Sequence, residues 1–220
     1  MTTLVDAIAG SLRRTYALRA PLLPVGRYVI GDAGFKTLYG EHLAVARSEG
    51  EGGRLLLRES GPGLRACIYF PDAMIRHLEA HPPQRALTDR NVDAFAVLVE
   101  EIDHLLVAAE RFHEGRPVTL LELELQANVS KDLVLSHVLA RQRPDAGAGR
   151  RVWLRHHLFH KREYREEHES PGTKARYDDA ARFAIRFLRG LEREPAGRRL
   201  ETLRRFHRAP LSAKLAMIED

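Results

Sequence analysis

The chain is poor in cysteine, aromatics and long apolar runs, and the first and last of these shortages exclude something. One cysteine, Cys67, among 220 residues rules out an intrachain disulfide and any multi-cysteine metal site. It fits a reducing compartment. No run approaches the roughly 18 apolar residues that suggest a membrane span. The first twenty residues carry their arginines after a weak apolar stretch, the reverse of a secretory signal. The expectation is a soluble, cytoplasmic protein with no membrane partner.

Known catalytic signatures are also missing. There is no Gly-x-Ser-x-Gly elbow. There is no phosphate-binding glycine loop ending in Lys-Ser or Lys-Thr, and no Gly-x-Gly-x-x-Gly after a strand. Neither a helix-turn-helix pattern nor an aromatic RNA-binding motif is present. Internal repeats and low-complexity tracts are absent too.

What remains is the composition of a folded globular protein, 44% hydrophobic and 30% charged. Residues 3–18 read as a short helix, interrupted by Pro21 and Pro24. Val25 to Gly40, punctuated by glycines, reads as short strands and turns. Leu43–Ala46, Arg54–Arg58 and Arg65–Phe70 are short apolar runs bounded by Gly and Pro, the signal of a three-strand antiparallel meander. Cys67 falls in the third run and reads as core. Pro71-Asp72 opens a helix to about Ala80.

Two long helices follow. Asp89 or Asn91 caps the first, which runs to about His113. Its apolar stripe is Phe95, Leu98, Ile102, Leu105, Ala109 and Phe112. The next segment alternates like a strand at Leu121, Leu123, Leu125, Ala127 and Val129. Its Leu, Glu, Gln and Ala favour helix instead, and Thr119 with Glu122 forms a capping box. Apolar residues all round this second helix make it central. Residues 143–150 read as a loop or linker. The expected fold is α+β: a small antiparallel meander on a predominantly helical core over 1–142, then a basic helical segment over 151–220 packed on the same core.

The two long helices carry polar residues where a plain core helix would not. Burying such groups is costly unless they pair, bind a metal or act in chemistry. Glu101 and His104 lie on neighbouring turns of one face. Glu-x-x-His is the spacing used in carboxylate-bridged di-metal bundles. A second copy on another helix is lacking, because Glu110 and His113 share the first helix. A mononuclear site is less demanding. Glu101, His104 and Glu122 or His137 would supply the ligands for one divalent transition metal. Glu100 or Asp103 would serve as general base or orienting partner. The bland alternative is a buried Glu–His pair that fixes helix packing. His77 with His81, and His156 with His160, have chelating spacing but lack the accompanying glutamate of His-Glu-x-x-His.

Charge is uneven along the chain. Residues 141–210 hold 19 Arg or Lys against 10 Asp or Glu, a net of +9. Arg182, Arg186, Arg189 and Arg193 form a ridge on an amphipathic helix from Lys174 to Leu191. Helices over Arg198–His207 and Ser212–Ile218 follow. Arginine binds carboxylates and phosphates bidentately, so the ridge points to an acidic protein or nucleic-acid partner. The scarcity of lysine gives a competing account in codon bias, and a solvated face is the plain reading of the ridge. The sequence thus leaves two functional expectations. One is a binding or accessory protein acting through its basic C-terminal helices. The other is a metal-dependent, hydrolytic enzyme with its site between helices 91–114 and 120–141. The long apolar helices would also suit a homo-oligomer face.

Overall fold

The computed structural model describes residues 2–40, 52–60, 63–142, 148–161 and 171–219. The chain is mostly helical with one small sheet. Helix α1 spans Thr2–Tyr16, and a 3-10 turn at Val25–Tyr28 leads into strand β1, Val29–Ile30. Helix α2 covers Asp32–Tyr39, followed by β2 at Arg54–Ser60 and β3 at Gly63–Tyr69. Helices α3 (Asp72–Ala80), α4 (Val92–His113) and α5 (Leu120–Gln142) come next. Helix α6 (Ala148–Arg155) runs into a π-turn at His156–His160. Helices α7 (Pro171–Arg193), α8 (Ala196–Arg208) and α9 (Leu211–Glu219) complete the order.

The sheet is mixed, with strand order β1-β3-β2. Strands β2 and β3 form the expected hairpin, pairing Leu55 with Ile68 and Leu57 with Ala66. The third strand departs from the expected meander. It is the short β1, which runs parallel to β3 and pairs Val29 with Ile68. The candidate strand Leu43–Ala46 lies outside the described residues. The glycine-spaced stretch 25–40 likewise contains a helix, α2, where short strands and turns were expected. Asp32 explains its start: it sits in the first turn, where a carboxylate opposes the positive helix end, and its Oδ1 accepts from the Tyr69 hydroxyl at 2.8 Å.

Period-two alternation divides β3 between two layers. Ile68, with Phe70 just beyond the strand, is fully buried in the main core. Tyr69 faces the other way and packs on Phe35 of α2, with Ile30 and Leu56. The main core is one continuous cluster that includes Val5 of α1, Phe95 of α4, Leu125 of α5, Ala184 of α7 and Phe206 of α8. Along α4 the expected stripe is buried through Ala109, whereas Phe112 is 43% exposed. Helix α5 is the central element, buried continuously from Glu122 to Asp132. Only the Thr119 half of its capping box forms, with Oγ1 accepting from Glu122 N at 3.1 Å. The Glu122 carboxylate has turned to Arg111 instead. Among the described residues no helix is long and apolar enough to cross a membrane.

Candidate metal centre

The polar residues of α4 and α5 separate into two buried clusters. Residues three, four and seven apart share a helix face. Glu100, Glu101 and His104 of α4 therefore face Glu124 and Lys131 of α5. Ligand atoms of Glu100, His104 and Glu124 lie within 4.8 Å of one another. His104 sits between carboxylates, with Nδ1 3.6 Å from Glu101 Oε2 and Nε2 3.9 Å from Glu124 Oε2. Both distances exceed a hydrogen bond. His104 Nε2 is buried without a hydrogen-bond partner. Lys131 Nζ donates to Glu100 Oε2, and Glu100 is the partly exposed member of the group.

The electrostatics follow from burial. Burial pulls the His104 imidazole down, but Glu101, Glu100 and Glu124 outweigh it and lift its pKa to about 9. Burial, then the charge of Glu100, pushes the Glu124 carboxyl up to about 7. Burial also raises the Tyr177 phenol of α7, and the charges of Glu124 and Glu100 raise it further. The start of β2 presses on this cluster. A Cβ on Gly53 would meet the Phe70 ring at 2.5 Å and Glu101 Cγ at 3.0 Å. Glycine is therefore required where the strand crosses α4.

The second cluster holds Arg111, Glu122, Gln126, Ser130, Asp103, Tyr16, His207 and Lys214. Arg111 donates to Glu122 Oε1 through Nε at 3.1 Å and Nη2 at 2.7 Å, and to the carbonyl of His207 at 2.6 Å. Lys214 is wholly buried. Its Nζ donates to Gln126 Oε1 at 2.9 Å and lies over the Phe206 ring at 4.9 Å. Ser130 Oγ donates to Asp103 Oδ1 at 2.6 Å, so the Tyr16 hydroxyl, 2.7 Å away, donates to Ser130. Burial raises Asp103 to about 6 and lowers Lys214 to about 7.

The residues singled out from sequence are thus distributed. Glu100, Glu101 and His104 come together in the acidic cluster. Glu122 belongs to the second cluster, as a partner of Arg111 with Lys214 3.7 Å away. Asp103 also faces the second cluster. His137 is exposed on the outer side of α5. Arg182, Arg186, Arg189 and Arg193 are exposed along α7. The His77 Nε2 meets the Arg90 carbonyl, and its ring packs edge-on against His81 with centroids 5.0 Å apart. Sequence reasoning missed Glu124, Lys131 and Lys214. Glu124 and Lys131 were findable, since they stand seven apart on the face of α5 opposite Glu122. No family model, curated protein or solved structure matches the chain.

Proposed function

We propose that the chain is a metalloprotein, holding one divalent transition ion between α4 and α5 and using it for hydrolysis. The observation that carries this reading is His104 Nε2, buried, without a hydrogen-bond partner and turned toward Glu124. An imidazole with carboxylates suits zinc, manganese or ferrous iron. His104, Glu124 and Glu100 would be the ligands. Tetrahedral ligand atoms around such an ion sit about 3.4 Å apart, so the group needs only a small contraction to close. Glu101, beside Nδ1, would fix the ring and the tautomer that leaves Nε2 to the ion. Lys131 would position Glu100. When bound, such an ion lowers the pKa of its water toward neutrality. Glu100, the least buried of the three, marks the side from which a substrate would approach.

Elemental analysis of the purified, untagged protein tests the reading, with cobalt titration followed by visible absorbance. A stoichiometric ion is expected in the wild type and not in His104→Ala or Glu124→Gln, all three giving matching circular dichroism. A wild type that takes up no ion at pH 8 would refute the proposal. Uptake without turnover of any ester or phosphoester in a panel would keep the metal and reject hydrolysis.

A further inference from the structure

A second feature lies apart from the acidic cluster and stands on its own observations. The π-turn closes through Lys161 N donating to the His156 carbonyl at 2.7 Å, five residues back. Such turns occur mostly singly, often at functional sites. This one is held by carboxylates at the start of α4. The His157 ring nitrogens meet Asp89 at 2.9 Å and Asp93 at 3.0 Å, and Lys161 bonds Asp93 at 2.9 Å. The result fixes Phe159 beneath α7. Phe159, Ala181 and Ile185 then form the apolar floor of a shallow groove of about 310 Å³. Arg182, Arg186 and Arg189 form its wall.

We infer that this groove docks an acidic segment of a partner protein, an apolar anchor flanked by carboxylates. The arginines stand four and three residues apart, on one face of α7. Arg182 is engaged by Asp179 at 2.7 Å. Among the described residues Arg186 and Arg189 have no carboxylate partner, although both are exposed. Guanidinium groups in that state are available for bidentate bonds to carboxylates. The surrounding segment, 141–210, carries a net charge of +9, which would steer an acidic partner toward the groove. The floor argues for protein over nucleic acid. Its size suits one apolar side chain. Asp178 on the rim would penalise a continuous phosphate track more than carboxylates that can be spaced away from it along a peptide. The ridge from Arg182 to Arg189 is also only about 10 Å long, short for a duplex footprint.

Fluorescence anisotropy on the full chain tests this. The probes are a panel of labelled acidic peptides with central Leu, Phe or Ser, an all-glutamate peptide and a DNA duplex. Leu or Phe peptides should bind saturably, and the Ser peptide about tenfold more weakly, as loss of one buried apolar side chain implies. Arg186→Glu with Arg189→Glu should abolish binding. Ile185→Asp should remove the Leu-over-Ser preference. Arg186 and Arg189 are exposed and Ile185 is half-buried against the core, and matching circular dichroism melts would establish that the variants fold. No saturable binding by any apolar-anchored peptide would overturn the inference. So would equal or tighter binding of the duplex or the all-glutamate peptide.

Discussion

The same two helices carry two buried polar clusters, and the clusters differ in how their charges are served. Around Arg111 the ion pairs are closed by direct hydrogen bonds, although Asp103 Oδ2, Gln126 Nε2 and His207 Nε2 of the same cluster are buried without a partner. The Arg111 guanidinium reaches Glu122, Glu114 and the carbonyls of His207 and Ala209, tying α8 to the α4–α5 pair. Glu110, one residue earlier, accepts from two backbone N–H groups, that of Arg19 shared between its two oxygens and that of Ala20 on Oε2. Around His104 the balance is reversed. Three glutamates surround one imidazole and one lysine, and the imidazole nitrogen facing Glu124 bonds to nothing. A served ion pair is architecture. A surplus of acceptors around an unserved nitrogen is an arrangement that a cation would complete.

The largest effect that can break this comparison lies in the served cluster. Removing one partner of a buried ion pair strands the other, at about 3–5 kcal/mol. Arg111→Ala should therefore lose that much stability in urea denaturation, with or without added metal. A loss below about 1 kcal/mol would mean that the Arg111 cluster is not structural, and the contrast would collapse.

Metal should act only on the other cluster. A ligand that binds the folded state alone stabilises it by about 2.7 kcal/mol at a hundredfold excess over Kd. Added zinc or manganese should raise the melting temperature of the wild type and of His137→Ala. It should leave His104→Ala and Glu124→Gln unmoved. Equal shifts in all four proteins would place the ion elsewhere.

The pH dependence sharpens the same point. Glu124 ionises near 7 in the folded chain but near its ordinary carboxylate value when unfolded. Between those values the folded state holds the extra proton, so stability falls as pH rises toward 7. His104, with its pKa lifted to about 9, adds a further fall as pH climbs from its ordinary value through 9. Glu124→Gln should remove the first fall, leaving the metal-free protein more stable than wild type at pH 8. Metal binding must expel the same protons, so affinity should rise from pH 6 to pH 9. A metal affinity flat across that range would contradict both assignments.

Much of the helical framework could be read in the chain. Strong periodicity and terminal signals located α3, α4, α5 and the C-terminal helices, because their local preferences agree with their packing. The sheet was less legible. A two-residue strand such as Val29–Ile30 has no period to detect, and its parallel partner lies far along the chain. The site was half legible. Glu101 and His104 share a helix, so spacing alone related them. Glu122 entered the candidate set as a carboxylate on the neighbouring helix, and the capping box tied it to the helix start, yet the buried guanidinium of Arg111 takes its carboxylate instead. Glu124 looked like one tooth of an alternating run. Its role depends on which face of α5 meets α4, a tertiary fact. The burial of Lys214 was equally hidden, since it depends on how α9 docks.

The smallest predicted effect is the most selective. At 3.6 residues per turn, His137 lies about 140° around α5 from Glu124. The Glu124 face points into the α4–α5 interface, and the His137 face points to solvent. His137→Ala should change stability by less than about 0.5 kcal/mol, as exposed substitutions do. Metal affinity should stay within roughly twofold, the same energy expressed as a ratio. Isothermal titration at constant pH measures this, with Glu124→Gln as the paired control. If His137→Ala weakened binding as much as Glu124→Gln, the ion would have to be held from the outer face of α5. The surplus of carboxylates around His104 would then be a buried charge network and nothing more.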